Sequence, residues 1–159
     1  MSKSKGDRWE RHYRNALTAA DVEDDGDDVE RFGLTIDDVL LWYAIRIPSS
    51  GSATTDDLPD LHLWHNAGDE VTQFAAEVKA FDERTRLSNE EVNGLRRYAA
   101  GTGATPVIIA HGDYVGDAVF GVDELHSTDK GFTIAKGRDF DGARTFADFV
   151  GNPHDVVDF

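Results

Sequence analysis

Pro59-Asp-Leu-His-Leu-Trp-His-Asn-Ala-Gly-Asp-Glu-Val-Thr-Gln-Phe-Ala-Ala-Glu-Val-Lys-Ala-Phe81 is the stretch on which the reading turns. Leu61-His-Leu-Trp-His65 has the branched and aromatic content of a short strand. Asn66-Ala-Gly-Asp69 is turn chemistry, and residues 71–81 form a second strand rich in small and apolar side chains. With the turn centred on Gly68 and Asp69, antiparallel pairing sets Asp60 opposite Glu77 with both side chains on one face. Lys79, two residues further on, shares that face. Three ionisable groups then meet at one end of a sheet. A slip of one residue would separate them, and the bland reading of the same trio is an exposed ladder of salt bridges.

Two carboxylates a few ångströms apart cannot both stay charged unaided. A divalent cation removes the conflict, and hard oxygen donors with room for water suit Mg²⁺, with Mn²⁺ as a substitute. Such a site activates water and stabilises charge building on a phosphate, while Lys79 orients the water or offsets that charge. Glu10, on a first helix, can supply another carboxylate.

That first helix spans residues 8–19, where Trp9, Tyr13, Ala16 and Leu17 recur at helical spacing beside Arg8, Arg11 and Arg14. Asp21 to Glu30 is a low-complexity acidic run, read as a solvated loop or fraying helix. Thr35-Ile-Asp-Asp38 is a capping box, and Leu40 to Ile47 becomes a strand by its end, with no signal for the switch. Pro48-Ser-Ser-Gly-Ser52 is a loop. Ser88-Asn-Glu-Glu91 opens a helix whose face carries Val92, Leu95 and Ala99, with Gly101 as its C-cap. Residues 106–110 and 118–122 are strands, and residues 143–150 a helix. The order suggests one α/β or α+β layered domain, with no repeats and no second domain.

Composition bounds the function. Forty per cent apolar residues suffice for a core. No apolar run is long enough to span a membrane, and no apolar stretch follows the basic N-terminus, so a cytoplasmic protein without a secretory signal is expected. The absence of cysteine excludes disulfides and thiolate zinc sites. Gly101-Thr-Gly103 follows a helix, where a phosphate loop would precede one, so no nucleotide cofactor is expected. Acidic residues number 31 against 16 basic ones, and lysine occurs only at positions 3, 5, 79, 130 and 136. This fits a carboxylate coat adapted to molar salt. The excess acid lies in residues 15–40 and 111–159; residues 1–14 are net basic. At molar salt the Debye length is about 3 Å, so distant carboxylates hardly repel DNA, and direct contacts from arginine outlast long-range steering. Arg84, Arg86, Arg96 and Arg97 read as a phosphate track or as a solvated helix face. His12 reads as a surface group or a phosphate contact. His62 and His65 fall on opposite faces of their strand, so they do not share a metal. Trp42, Tyr43 and Phe74 read as core or dimer interface.

Pro59-Asp60 followed by Glu77-Val78-Lys79 resembles the PD-(D/E)xK nuclease motif. Its surroundings resemble the archaeal Holliday-junction resolvases: Gly6-x-x-x-Glu10-Arg11, Arg46-Ile-Pro-Ser-Ser-Gly-Ser52, Leu87 to Leu95, Gly103 to Ile109, and Asp123 to Ile134. The likeness implies a restriction-endonuclease-like α/β fold over residues 1–159, a central mixed β-sheet flanked by helices with an acidic insertion at about 21–38, and a homodimer that nicks two opposite strands of a four-way DNA junction. It implies that Asp60 and Glu77 hold Mg²⁺ with the Val78 carbonyl, and that Glu10 completes the metal or water site. Lys79 would assist the attacking water, Ser50 would position the scissile phosphate, and Arg11, Arg46, Ser50, Ser52 and Lys79 would contact DNA. Three departures stand out: about twenty extra residues before the strand with Arg46, Glu91 where many relatives carry Gln, and an acidic segment at 111–117. Two other readings stay open, a nuclease of the same chemistry acting on another DNA structure and a DNA-binding relative without catalysis.

Overall fold

The hairpin forms in the expected register. In the computed structural model, which describes residues 5–18, 26–47 and 58–157, β2 (Leu61–Asn66) and β3 (Val71–Phe81) pair antiparallel, with Leu61 opposite Ala76 and Asn66 opposite Val71. Gly68 takes φ +99°, a conformation open to glycine, and its N–H donates to Asn66 Oδ1 at 2.9 Å.

Around this hairpin lies a five-stranded sheet in the order β1-β2-β3-β5-β6, with β1 (Trp42–Arg46), β5 (Thr105–Gly112) and β6 (Gly116–Gly121). β3 and β5 run parallel; the other neighbours are antiparallel, so the sheet is mixed as expected. The connection from β3 to β5 passes through β4 (Arg84–Ser88) and α4 (Asn89–Thr102), as a parallel crossover requires. Strand β4 belongs to a second sheet of three strands, β4-β8-β7, with β7 (His126–Thr128) and β8 (Gly131–Ala135).

The central strands are covered on both faces, which is why residues 107–110 read as an unbroken apolar run. One face packs Leu61, Leu63, Phe74, Val107 and Ile109 against Tyr13, Ala16 and Leu17 of α1 (Lys5–Thr18) and Phe146 and Phe149 of α6 (Phe146–Gly151). The other face packs Ala75, Ile108 and Ala118 against Val92, Leu95 and Ala99 of α4 and Leu87 and Ile134 of the small sheet. Burying a side chain such as Leu95 contributes roughly 1.5–3 kcal/mol, so α4 is held mainly by that apolar stripe.

Four sequence expectations shift. The C-cap of α4 is Gly103, at φ +79°, and not Gly101; the chain turns left-handed only at Gly103, whose N–H donates to the Ala99 carbonyl. Residues 84–88 form a strand, so Arg84 and Arg86 do not lie on a helix. The acidic run is only partly solvated: α2 (Gly26–Arg31) buries Val29 and Asp28, and Asp28 Oδ1 lies 2.7 Å from His12 Nδ1 and 3.0 Å from Arg31 Nε. The C-terminal helix starts at Phe146 behind an N-cap at Thr145, three residues later than expected.

Gly131 locks the small sheet to β4. Its φ is +144°, and a Cβ there would collide with the Leu87 carbonyl oxygen. Gly131→Ala is expected to cost about 2–4 kcal/mol in urea unfolding; an unchanged midpoint would mean that β8 yields at this point.

Candidate functional site

Asp60 is fixed from both sides just before β2. Its carbonyl accepts from the Ile47 N–H at 2.9 Å, and its N–H donates to the Ala76 carbonyl at 3.1 Å. The side chain then reaches across to β3, where Oδ2 accepts from the Val78 N–H at 2.8 Å. Continuing the observed register places Asp60 opposite Glu77. Burial pushes the Asp60 carboxyl above its usual range; the Val78 N–H, Lys79 and Arg46 pull the other way without cancelling it.

Glu77 feels the same conflict more strongly. Burial first, then the Asp60 charge, raise its pKa to about 8. Lys79 stands beside it, with Nζ 3.9 Å from Glu77 Oε2 and 2.8 Å from Glu91 Oε2. Burial works to discharge Lys79, but Glu91, Glu77 and Asp60 outweigh it and hold the ammonium charged. Glu91 shows the reverse: burial pulls it up, and the Lys79 contact and the Ser88 N–H bring it below the usual carboxylate value.

The structure brings Asp60, Glu77 and Lys79 together, as the hairpin register requires. From β1, Arg46 Nη2 donates to Glu10 Oε1 of α1 at 3.2 Å, and the Glu10 charge is felt at Glu77. Arg11 is exposed on α1 next to Glu10. Ser50 and Ser52 lie outside the described residues. His12 is engaged by Asp28. His62 is buried between Tyr98 and Gln73, while His65 packs against Trp42 on the other face.

Glu91 is the group that the sequence reading left outside the site. It was visible as the N3 residue of a capping box, and it fills that role: Oε1 accepts from the Ser88 N–H at 3.1 Å. Its second oxygen holds Lys79, twelve residues away on another element. No local signal announces that contact.

The donor set suits a hard cation: two half-buried carboxylates that repel one another, and no sulfur or imidazole between them. Among the described residues, however, no three His, Cys, Asp or Glu side chains are grouped closely enough to hold a metal.

No curated protein matches the chain. A family description does, that of archaeal Holliday junction resolvase (Hjc), over residues 21–156. The chain belongs to the archaeal Holliday junction resolvase family. Among solved structures, Hjc of Archaeoglobus fulgidus, a Holliday junction resolvase from an archaeal hyperthermophile, is 25% identical to it, with a TM-score of 0.62. The likeness covers 91% of this chain and 97% of that one, so the two share the fold throughout. The matched Hjc region contains Arg46, Asp60, Glu77, Lys79 and Glu91 and the acidic segment; α1, with Glu10 and Arg11, precedes it. Among the described residues no helix is long and apolar enough to cross a membrane.

Proposed function

We propose that this Hjc family member is a structure-selective, Mg²⁺-dependent endonuclease that resolves four-way DNA junctions as a homodimer, each subunit hydrolysing one phosphodiester bond. The observation that carries this is the meeting of Asp60, Glu77 and Lys79 where β2 gives way on the edge of β3. Mg²⁺, or Mn²⁺ in its place, would neutralise the carboxylate pair and favour the negative charge of the phosphoryl transition state. Asp60 and Glu77 would hold it. The Val78 N–H points at Asp60, and in an extended residue the carbonyl points to the same edge, which supports Val78 oxygen as a third donor. Glu10, tied to Arg46, stands ready to complete the site when Arg46 turns to a phosphate.

Lys79 then does two things from one position. Its ammonium offsets charge growing on the scissile phosphate, and its protons orient the attacking water beside Glu77. Arg46 and Arg11 would grip flanking phosphates, and Ser50 and Ser52 would place the scissile one. Leu40, Leu41, Tyr43, Ile45 and Val71 expose apolar surface along the β1 side of the sheet, a surface fitted to a second copy of the chain. The carboxylate-rich composition supports a cytoplasm of high salt as the working environment.

The test is nicking of a four-way junction against a duplex of matched sequence, with Mg²⁺, across a salt range reaching molar. Junction arms nicked in opposite strands, with the duplex largely spared, are expected. Equal rates would mean another DNA target. Protein that binds junctions but cuts nothing would be the non-catalytic relative.

A further inference from the structure

Arg84 and Arg86 stand two residues apart on β4, exposed on the same outward face, with about 7 Å between successive side chains on that face. The ladder sets Arg86 beside Thr133 of β8, and Thr133 beside His126 of β7. Lys130, in the turn from β7 to β8, and Arg138 close the far side of a groove of about 390 Å³. Four of its lining side chains are cations and one, Asp129, is a carboxylate. The chain as a whole has 31 acidic residues to 16 basic ones, so this face inverts the general balance.

The pairing pattern is the stronger observation. Arg31, Arg46, Lys79, Arg96, Arg138 and Arg144 each have a carboxylate within 3.2 Å. Among the described residues, no ion pair or hydrogen bond engages the side chains of Arg84, Arg86 or Lys130. In a chain so rich in carboxylates, cations left unneutralised on one face point to negative charge supplied from outside. The face also leads to the catalytic cluster. β4 ends at Ser88, on the same face as Arg84 and Arg86, and the Ser88 N–H holds Glu91, which holds Lys79.

We propose that the outward face of β4-β8-β7 is a docking surface for the DNA backbone, gripping consecutive phosphates of the junction arm that leads away from the scissile bond. This rests on the junction-cleaving reading above and adds to it a second, non-catalytic contact. Adjacent guanidinium forks make bidentate phosphate contacts. Such contacts are direct, so they persist where a Debye length of about 3 Å at molar salt removes steering at a distance. They position the duplex without reading its sequence, as a junction enzyme requires. Of the four arginines read as a phosphate track, the two on β4 line this groove; Arg96, on α4, is bound to Asp123.

The experiment is junction binding by the full chain in metal-free buffer as a function of salt, for wild type, the Arg84→Gln/Arg86→Gln double variant, Lys130→Gln and Arg96→Gln. The double variant is expected to bind about 10-fold more weakly or worse, with a plot of log affinity against log salt shallower by roughly 2. Lys130→Gln should shift the slope by about half as much. Arg96→Gln removes one charge that is already paired and should leave the slope unchanged. At saturating junction the double variant should nick at the wild-type rate, since it keeps the catalytic cluster. Wild-type affinity and slope in the double variant would overturn the docking surface while leaving the nuclease reading intact. So would an equal slope change in Arg96→Gln, which would mark a general charge effect. Wild-type protein that neither binds nor nicks junctions would remove both.

Discussion

Glu77→Gln is expected to abolish nicking and, in the same molecule, to raise stability at pH 8. The activity loss should be about 10³-fold or more, because the variant lacks one of the two carboxylates that would hold the cation and polarise the site. Junction affinity in metal-free buffer should be kept, since the arginines proposed to contact DNA are untouched. The stability gain follows from the raised pKa. Folded Glu77 titrates at about 8 instead of 4.5, so between those values the folded chain holds a proton that the unfolded chain releases. Stability is therefore full below about pH 4.5 and falls as pH rises toward 8, at up to about 1.4 kcal/mol per pH unit. Asp60, also raised, contributes in the same direction. Glutamine cannot ionise, so the variant should lose much of this slope and gain roughly 2–3 kcal/mol over wild type at pH 8. Urea unfolding of both proteins at pH 5 and pH 8 reads the difference. Mg²⁺ should stabilise the wild type at pH 8 and have little effect on the variant. A variant less stable than wild type at pH 8 would show that the Glu77 carboxylate is a structural partner and not a strained one.

Lys79→Met should move stability the other way. The ammonium sits among Glu91, Glu77 and Asp60, with its side chain 22% exposed. Removing one partner from a largely buried ionic cluster leaves the others uncompensated, at a cost of about 3 kcal/mol. Lys79 itself has a raised pKa, so its contribution is complete below its ordinary value of 10.5 and constant across neutral pH. In the variant the carboxylates answer instead: they bind protons more readily, so the penalty is large at pH 8 and shrinks toward pH 5. Nicking should fall by about 10²–10³-fold. Thermal unfolding at the two pH values checks the sign. A penalty equal at both would mean that the aliphatic stem, and not the charge, supports the fold.

The opposite signs expected for these two substitutions express one arrangement: two crowded, half-buried carboxylates with a single lysine beside them. On the proposed function, such a site stores instability where the chemistry would need it.

Much of this was open to reading along the chain. Asp60, Glu77 and Lys79 belong to a hairpin whose turn and alternation lie within about twenty residues. Pairing over so short a loop is set by turn chemistry and by which face must be buried. The capping boxes at Thr35 and Ser88 are likewise local, and both helices start where those residues set them. The element order pointed to a layered α/β or α+β domain, and the apolar run marked residues 106–110 as a buried strand; the mixed order of the sheet is set by which strands pair.

Other features depended on distance through space. Glu91 meets Lys79 only because α4 packs its Val92, Leu95 and Ala99 stripe onto the sheet and so brings its first turn to the end of β3. Glu10 meets Arg46 only because α1 lies across the opposite face. Arg84 and Arg86, read as a phosphate track or a solvated helix face, lie on a strand because β4 pairs with the distant β8, and pairing with a distant strand outweighs local propensity. Spacing in one dimension specifies contacts closed by a turn. Contacts closed by packing two layers depend on every side chain between them, and only the folded chain adds those up.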